Sequence, residues 1–386
     1  MKVLHIIPSL DPKSGGVCQA VRSMIQYVND GVRHEVVSLD DPTEEFITDS
    51  DFTIHALGKG KTAWNYHPYL KIWLSAHLED YDWTIVHGLW QYQSRAVYEA
   101  FRKSTSGRVR YLVMPHGMLD PYFQRAKGRK IKALRNLLFW VAVEQHLINN
   151  AAALLFTCQT ERLLAREPFG PYRPKKQLVV GLGVDQPPPY TAEMTAALKA
   201  LCPEIGTGPY LLFLSRIHPK KGLDLLIDAY LQAQEKFDNM PRLLIAGPGI
   251  DTSYGQQIAA QAKGNNEIVF GGMLTGMAKW GAFYGCEAFI LPSHQENFGI
   301  AVVEALACGK PVLISDQVNI YREIQSNNAG IVKSDTEKGT VALLETWLEK
   351  SAEEKVKLAE GARRAYEKYY SPGNAGKAMM EVFKID

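Results

Sequence analysis

Residues 289–312 read FILPSHQENFGIAVVEALACGKPV, a buried strand followed by a polar loop and an apolar helix. We predict that the strand ends before Pro292-Ser293 and that the helix begins near Phe298-Gly299. The unpaired N–H groups of a helix start, together with the helix dipole, favour binding of a phosphate group. This strand–loop–helix unit therefore predicts an α/β domain with its ligand at the carboxyl ends of the strands.

Two glutamates, Glu296 and Glu304, occur in this stretch. Glu304 lies in a helix that is apolar on nearly all sides, so its carboxylate needs a partner, either a basic side chain or the hydroxyls of a ligand. Glu296 lies in the loop before the helix, where it could reach a second set of hydroxyls. The two carboxylates suit a molecule with hydroxyls at both ends and a diphosphate between them, which describes a nucleotide sugar.

Other strands of the C-terminal half also end in residues suited to an anion. The predicted strand Tyr210–Ser215 leads into Arg216 and Lys221, and cations beside a glycine at a helix start favour a bound anion. The next two predicted strands end in glycine-rich segments, Gly247-Pro248-Gly249 and Phe270-Gly271-Gly272. A solvated basic turn and ordinary tight turns are the alternative interpretations of these segments.

Short apolar runs alternate with longer helical patterns along the whole chain, which is typical of parallel α/β layers. We predict two sets of six strands: Val3–Ile7, Glu35–Leu39, Thr84–His87, Tyr111–Met114, Leu154–Thr157 and Leu178–Val180, then Tyr210–Ser215, Arg242–Ala246, Glu267–Phe270, Ala288–Leu291, Pro311–Ser315 and Gly330–Val332. Two such sets indicate two doubly wound domains. Three prolines after Gln186 predict the boundary, with domains over 1–185 and 186–371 and a last short helix within 372–386.

The composition is that of a globular enzyme, with 46% apolar and 22% charged residues. Five widely separated cysteines without a C-x-x-C pair predict reduced thiols in a cytoplasmic protein. We interpret the N-terminal MKVLHIIPSL as a strand rather than a signal peptide, and no stretch has the length of a spanning helix. Residues 102–135 hold ten basic residues and a single acid, Asp120, which suggests an anionic partner surface.

The motifs that carry a family resemblance occur in this order: Gly15-Gly16, Arg216 with Lys221, Gly247-x-Gly249, and Glu296 with Glu304. Together they resemble the retaining glycosyltransferases of family 4, over nearly the whole chain and less strongly over residues 40–110. The resemblance implies the GT-B fold, two Rossmann-like domains facing a central cleft. An acceptor-binding domain would occupy 1–185 and a donor-binding domain 186–371, with 372–386 returning to the first. The pattern is also similar to transferases that build bacterial exopolysaccharide and heterocyst-envelope polysaccharide.

The resemblance implies a role for each motif position. Arg216 and Lys221 would neutralise the diphosphate leaving group. Glu304 would bind the ribose hydroxyls and Glu296 those of the transferred sugar, while His116 in PHGMLDP would face the sugar ring. The remaining donor-binding positions are Gly15, Gly16, Gly247, Gly249, Phe270, Gly271, Met273, Asn297, Phe298, Gly299 and Ile300.

The expected reaction moves a hexose from a nucleotide sugar, UDP-glucose or a similar donor, to a glycan or lipid-linked acceptor in polysaccharide biosynthesis. Fixed positive charge would stabilise the leaving diphosphate, so we expect no metal and no cofactor. The patterns Asp49-Ser50-Asp51 and Asp80-Tyr81-Asp82 are interpreted as surface acids. Two departures from the family pattern, Asn297 in place of a frequent glycine and Pro248 within G-x-G, bear on sugar selectivity.

Residues 125–141 join a basic segment, RAKGRKIKALR, to the apolar LLFWV. One hypothesis is that this stretch lies on an anionic membrane, at the inner face of the cytoplasmic membrane, and brings the enzyme to a lipid-linked acceptor. The alternative is a solvated basic helix start followed by an ordinary buried helix.

Two other functions fit the same motifs. A nucleotide-sugar epimerase of this architecture would convert the donor without an acceptor, and a sugar-nucleotide binding module would hold it without turnover. A nicotinamide-dependent dehydrogenase is disfavoured because PSLDPKSGG, not G-x-G-x-x-G, follows the first strand. Binding of nucleic acid is disfavoured because the basic residues are local and the net charge is only +2.

Overall fold

The computed structural model describes residues 1–104, 109–126 and 128–385. The chain forms two compact units, Met1–Gly183 with Pro372–Asp386, and Val184–Ser371. Each unit contains a parallel sheet with helices, so the predicted α/β class is confirmed. None of the described helices combines the length and apolarity needed to cross a bilayer.

In the described part of the first unit, seven parallel strands run in the order β3-β2-β1-β4-β5-β6-β7. They are β1 (Lys2–Ile6), β2 (Arg33–Ser38), β3 (Thr53–Ala56), β4 (Trp83–His87), β5 (Arg110–Met114), β6 (Ala153–Phe156) and β7 (Gln177–Val179). The helices are α1 (Gly16–Tyr27), α2 (Glu45–Thr48), α3 (Pro68–His77), α4 (Tyr92–Lys103), α5 (Tyr122–Arg125), α6 (Lys130–Phe139), α7 (Gln145–Asn150) and α8 (Gln159–Leu164), with α17 (Pro372–Val382) from the end of the chain. A π-helical turn, Trp140–Glu144, joins α6 to α7.

The helix α17 belongs to the first unit although it follows the second unit in sequence. Its buried residues Met379 and Val382 share a core cluster with Val3 of β1 and Met24 of α1. At Gly376 an added Cβ would lie 2.7 Å from the carbonyl oxygen of Tyr27, the last residue of α1. The two helices therefore approach too closely for a larger residue at this position.

In the described part of the second unit, six parallel strands run in the order β10-β9-β8-β11-β12-β13. They are β8 (Tyr210–Leu214), β9 (Arg242–Ala246), β10 (Ile268–Gly272), β11 (Ala288–Leu291), β12 (Val312–Ser315) and β13 (Gly330–Lys333). The helices are α9 (Ala192–Leu201), α10 (Leu223–Gln234), α11 (Ser253–Gln261), α12 (Gly276–Gly285), α13 (Ile300–Ala307), α14 (Tyr321–Ser326), α15 (Glu337–Leu348) and α16 (Ala352–Ala365). The strand order reverses between β8 and β11, the place where open α/β sheets bind ligands.

Every predicted strand overlaps an observed one, with ends within two residues. The strand β3 was not predicted. It lies at the edge of its sheet, and each of its four residues is exposed or only half-buried. Its sequence, TIHA, therefore lacks the continuous apolar run by which the buried parallel strands are identified.

Candidate functional site

We call the segment that follows the carboxyl end of a strand its exit. The β8 and β11 exits contact each other in the second unit, because β8 and β11 are neighbours at the centre of the sheet. The N–H of His294 donates to the carbonyl oxygen of Lys220 at 2.9 Å. Gly222 has φ +65°, and an added Cβ there would come within 2.0 Å of the carbonyl oxygen of Pro292. Glycine is therefore required at this contact, which joins the basic turn to the loop before α13.

Two lysines of the basic turn bond to consecutive side chains of that loop. Lys220 donates to Oε1 of Gln295 at 2.6 Å, and Lys221 pairs with Glu296 through Nζ and Oε2. The side chains of Lys221 and Glu296 are only 13% and 21% exposed. The structure thus brings together two predicted site residues that the resemblance assigned to different parts of the ligand.

The loop is also held through its backbone. The N–H of Glu296 donates to Gln317 O at 3.0 Å, and the N–H of Asn319 donates to Glu296 O at 2.9 Å. The side-chain amide of Asn319 reaches Oδ1 of Asn297 at 3.4 Å. These contacts hold Glu296 and Asn297 on a fixed backbone before any ligand is bound.

The third cation of this region, Arg216, is exposed, and no described residue forms a hydrogen bond or ion pair with it. Burial, then the charges of Arg216, Lys220 and Lys221, lower the pKa of His218. Three cations of this turn thus act on the same place, which suits an anion site.

The helix α13 begins at Ile300, directly after the loop. Its N-cap, Gly299, has a left-handed backbone with φ +76° and has no side chain to cap the helix. Among the described residues, no acceptor takes the N–H of Phe298 or Gly299. The ring of Phe298 is buried against Tyr370, with 5.6 Å between ring centroids, so Phe298 offers a ligand its backbone rather than its side chain.

Glu304 has a protein partner. Lys279 on α12 donates to Oε1 of Glu304 at 2.6 Å, and their side chains are 25% and 13% exposed. Burial raises the pKa of Glu304, and the charge of Lys279 opposes this rise. The predicted need for a partner is met by a basic side chain on another helix.

The glycines of the β9 exit are required by close backbone packing. Gly247 has φ +139°, and an added Cβ would lie 1.9 Å from Ser215 O. Gly249 has φ +111°, and its Cβ would lie 2.7 Å from Ile217 O. Chain packing therefore explains this motif without a ligand.

The β10 exit presents its predicted residues differently. An added Cβ at Gly271 would lie 2.8 Å from the thiol sulfur of Cys202, so this glycine is also set by packing. Phe270 is half-buried, whereas Met273 is 64% exposed. Met273 is the side chain of this exit most accessible to a base.

The first unit carries the other predicted positions. The helix α1 begins at Gly16, and an added Cβ at Gly15 or Gly16 would meet no atom within 4 Å, so this helix start is open. His116 has φ +52° and bonds through Nε2 to Nδ1 of His87 at 3.0 Å. Burial lowers the pKa of His116 to about 4, so its ring is neutral at pH 7.

Several residues of these sites carry no sequence signal. Lys279 lies 25 positions before its partner Glu304 and belongs to no motif. Glu161 accepts the N–H of Gly117 at 2.6 Å and holds the turn that carries His116. Both contacts depend on how distant elements pack, so sequence spacing could not reveal them.

Two family models match the chain: Glycosyl transferase 4-like domain over residues 15–183 and Glycosyl transferases group 1 over residues 203–365. The phosphatidyl-myo-inositol mannosyltransferase of Mycobacterium leprae is 36% identical over 126 residues, 32% of this chain and 32% of that protein. The D-inositol 3-phosphate glycosyltransferase of Kineococcus radiotolerans is 27% identical over 258 residues, 62% of this chain and 59% of that protein. The aligned region thus spans between 32% and 59% of the length of these two relatives.

Solved structures show the same fold. Sucrose-phosphate synthase from Thermosynechococcus elongatus has a TM-score of 0.76 at 16% identity, covering 99% of this chain and 98% of that chain. Anabaena HepE, solved in complex with UDP and glucose, has a TM-score of 0.74 at 17% identity, covering 99% of each chain. The fold is therefore GT-B. Together the two family models cover most of the chain, which therefore belongs to the glycosyltransferases of the family 4 type. This confirms the predicted family, whereas retention of configuration and a role in envelope polysaccharide stay predictions.

Proposed function

We propose that the chain transfers a hexose from a nucleotide sugar to a glycan or lipid-linked acceptor in polysaccharide biosynthesis. The observation that carries the proposal is the contact between the β8 and β11 exits. It places Lys221 and Glu296 together, beside the uncapped start of α13 and within the positive field of the basic turn. A diphosphate with hydroxyls beside it matches this set of donors and acceptors.

In the proposed reaction, the bond between the anomeric carbon and the diphosphate oxygen breaks, and a bond to an acceptor hydroxyl oxygen forms. Negative charge then grows on the leaving diphosphate, where Arg216, Lys221 and the N–H groups near Gly299 stabilise it. Lys221 has three N–H donors, so it can bind phosphate while one donor stays on Glu296. Retention of the anomeric configuration is part of the proposal through the family resemblance.

Glu304 serves the ribose in this proposal. Lys279 bonds to Oε1, and a carboxylate has acceptor sites on both oxygens, so Glu304 retains capacity for hydroxyl donors. Glu296 serves the transferred sugar in the same way. We propose UDP-glucose as donor, supported by the UDP and glucose bound to HepE, which shares the fold.

We also propose that transfer needs no divalent metal, because fixed cations supply the charge. The test incubates the purified protein with a panel of sugar nucleotides and acceptors, with and without EDTA, and measures released nucleoside diphosphate. Acceptor-dependent release that EDTA leaves unchanged is expected. An isomerised donor without an acceptor would indicate the epimerase, and binding without turnover would indicate the binding module.

The structure offers a specific surface for the membrane contact. Five apolar side chains of this segment are exposed: Ile131 at 87%, Leu134 at 59%, Leu137 at 46%, Leu138 at 65% and Val141 at 54%. We call these five residues the α6 face. Their exposure supports a membrane contact at this face, while Trp140 in the same segment is buried in the core.

Basic residues accompany the α6 face along the same segment: Arg125, Arg129, Lys130, Lys132 and Arg135, with Lys127 outside the described residues. Apolar side chains flanked by cations are typical of a helix that lies on an anionic bilayer. We propose that this segment brings the enzyme to a lipid-linked acceptor at the inner face of the cytoplasmic membrane. Co-sedimentation with anionic vesicles at low salt is expected, and absence of binding there would exclude the contact.

A further inference from the structure

Four histidines form a continuous hydrogen-bonded line across the sheet of the first unit. His34 Nδ1 and His5 Nε2 are 2.8 Å apart, and His5 Nδ1 and His87 Nε2 are 2.9 Å apart. His87 Nδ1 and His116 Nε2 are 3.0 Å apart. At the other end, His34 Nε2 lies 2.5 Å from Val28 O. We call these four residues the histidine line.

The line follows from the register of the sheet. His5 on β1 pairs with Ile85 on β4, so His87, two residues further along β4, is its diagonal neighbour on the same face. Val3 pairs with His34 on β2, so His34 and His5 are diagonal neighbours in the same way. Such neighbours are within reach of ring side chains. The line therefore starts on β2 and crosses β1 and β4, between which the strand order of this sheet reverses. It ends at the turn after β5.

The end of the line at a carbonyl sets the direction of every bond in it. Val28 O can only accept, so His34 donates from Nε2 and accepts at Nδ1. His5 must then donate to His34 from Nε2, and it accepts at Nδ1 from His87. By the same step, His116 donates from Nε2 to His87. All four rings are neutral Nε2–H tautomers, and Nδ1 of His116 keeps a free lone pair.

Burial keeps the line in this single state. His5 and His87 are fully buried, and burial lowers their pKa values well below the usual range. Burial also lowers the pKa of His34. A neutral imidazole has one donor and one acceptor, so His34, His5 and His87 each satisfy both ring nitrogens. Within the described ranges, no three His, Cys, Asp or Glu side chains are arranged to hold a metal ion, so the line is not a metal site.

His116 differs from the other three because it is only half-buried, whereas His5, His34 and His87 are buried. Its Nδ1 has no partner among the described residues. The turn that carries it is held by the bond from the N–H of Gly117 to Glu161 at 2.6 Å. Contacts within the unit thus fix both the backbone and the ring of His116. Its Nδ1 is the acceptor nitrogen, and it is not among the buried atoms that lack a partner.

We propose that the histidine line fixes His116 as a hydrogen-bond acceptor, through Nδ1, for a hydroxyl of the sugar substrate. His34, His5 and His87 are positioning residues that act through His116. The line ends at a carbonyl, which cannot take up a proton, so it orients His116 and does not conduct protons. The identity of the hydroxyl-bearing ligand rests on the proposed function, whereas the tautomer of His116 does not.

The direct test is long-range proton–nitrogen NMR on wild-type protein labelled with ring-¹⁵N histidine, with His116→Ala used to assign the resonances. The expected spectrum shows His116 protonated at Nε2 and unprotonated at Nδ1. A proton on Nδ1, or on both nitrogens at pH 7, would overturn the proposal. This result does not depend on any enzymatic activity.

The second test compares His34→Phe with His34→Gln. Phenylalanine removes both bonds of His34, whereas the glutamine amide can accept from His5 and donate to Val28 O. We expect His34→Phe to mix the tautomers of His116 and to lower kcat/KM for the nucleotide sugar about tenfold. His34→Gln should restore most of this loss.

A double-mutant cycle separates orientation from general stability. The variant His34→Phe with His116→Ala should lose no more kcat/KM than His116→Ala alone. Each change disrupts the same contact, the one between His116 and the sugar hydroxyl. Fully additive losses, with thermal unfolding showing both variants folded, would contradict the role of the line. If the wild-type tautomer is as expected but no sugar nucleotide is turned over, the proposed function fails and the assignment of the tautomer stands.

Discussion

Lys221 and Glu296 bond to each other in the structure, so both side chains are held in place before a ligand binds. A half-buried ion pair adds little to the free energy of folding, because desolvation of both charges offsets their attraction. Under the proposed function, the pair serves a ligand, with the cation on phosphate and the carboxylate on hydroxyls. Lys279 and Glu304 repeat the arrangement beside α13.

Substitution Lys221→Ala is expected to lower the transfer rate by about 10²-fold or more, because it removes a fixed charge from the leaving diphosphate. The protein should stay folded, since Lys221 lies in a turn outside the core. Released nucleoside diphosphate measures the rate, and circular dichroism checks the fold. Lys263→Ala, at an exposed lysine of the same unit, is the matched control. Unchanged turnover in Lys221→Ala would contradict the assignment of the diphosphate site.

Glu144 is an unusual buried acid in the first unit. Its Oε1 accepts from the N–H of Trp90 at 2.5 Å and from the hydroxyl of Ser94 at 2.8 Å. Its Oε2 is buried without a partner among the described residues. Burial raises the pKa of Glu144 from 4.5 to about 8, so the carboxyl is protonated at neutral pH.

The substitution Glu144→Gln should stabilise the protein increasingly as pH rises from 5 to 8. The folded state holds a proton that the unfolded state releases above about pH 4.5, so wild-type stability falls with rising pH until it levels off above pH 8. Glutamine does not titrate and resembles the protonated carboxyl. Urea unfolding of both proteins at several pH values measures the difference, and a pH-independent difference would contradict the raised pKa.

At the scale of elements, α6 is inverted relative to an ordinary surface helix. Its polar residue Asn136 is buried, while Leu134 and Leu138 are exposed. A helix normally turns its apolar side to the core, and an exposed apolar face flanked by charge marks an interaction site. In this respect α6 differs from α4, which buries its apolar residues Ala96, Val97 and Ala100 in the core.

Substitution of Leu134 and Leu138 by serine should weaken binding to anionic vesicles at least tenfold, because each leucine contributes apolar area that the bilayer would cover. The free energy of unfolding should change little, since both side chains already face water. Leu201→Ser, at a leucine that is 60% exposed in the second unit, is the control and should leave vesicle binding unchanged. Equal loss in the control would point to non-specific adsorption.

At the scale of the whole molecule, the chain leaves the first unit after Gly183 and re-enters it at Pro372. The first unit is therefore complete only when α17 has been added. Arg110 at the start of β5 donates to Ile385 O at 2.6 Å, which fastens the segment after α17 to the sheet. The stability of the first unit thus depends on α17, which follows Gly183 by more than 180 positions in the sequence.

Substitution Met379→Ala should destabilise the first unit by about 2–5 kcal/mol, the usual cost of removing a buried methionine side chain. Hydrogen exchange followed by mass spectrometry should show faster exchange in peptides from Met1–Gly183 and little change in Val184–Ser371. Lys377→Ala, at an exposed position of α17, provides the control. Equal acceleration in both units would contradict an independent core.

The sequence by itself determined the twelve strands that it predicted, because each is a local apolar run that a parallel sheet must bury. It also located the loop and helix of residues 289–312, since an acid among apolar residues and a glycine at a helix start are local features. The fold class followed from the alternation of these elements.

Other features were decided only by the tertiary structure. The edge strand β3 depends on its neighbour for its hydrogen bonds. The choice of Lys221 for Glu296 and of Lys279 for Glu304 depends on which strand and helix ends meet. The histidine line depends on sheet register, because a shift of one residue would turn a histidine to the opposite face. Such contacts join residues far apart in the chain, so no local pattern of residue types could specify them.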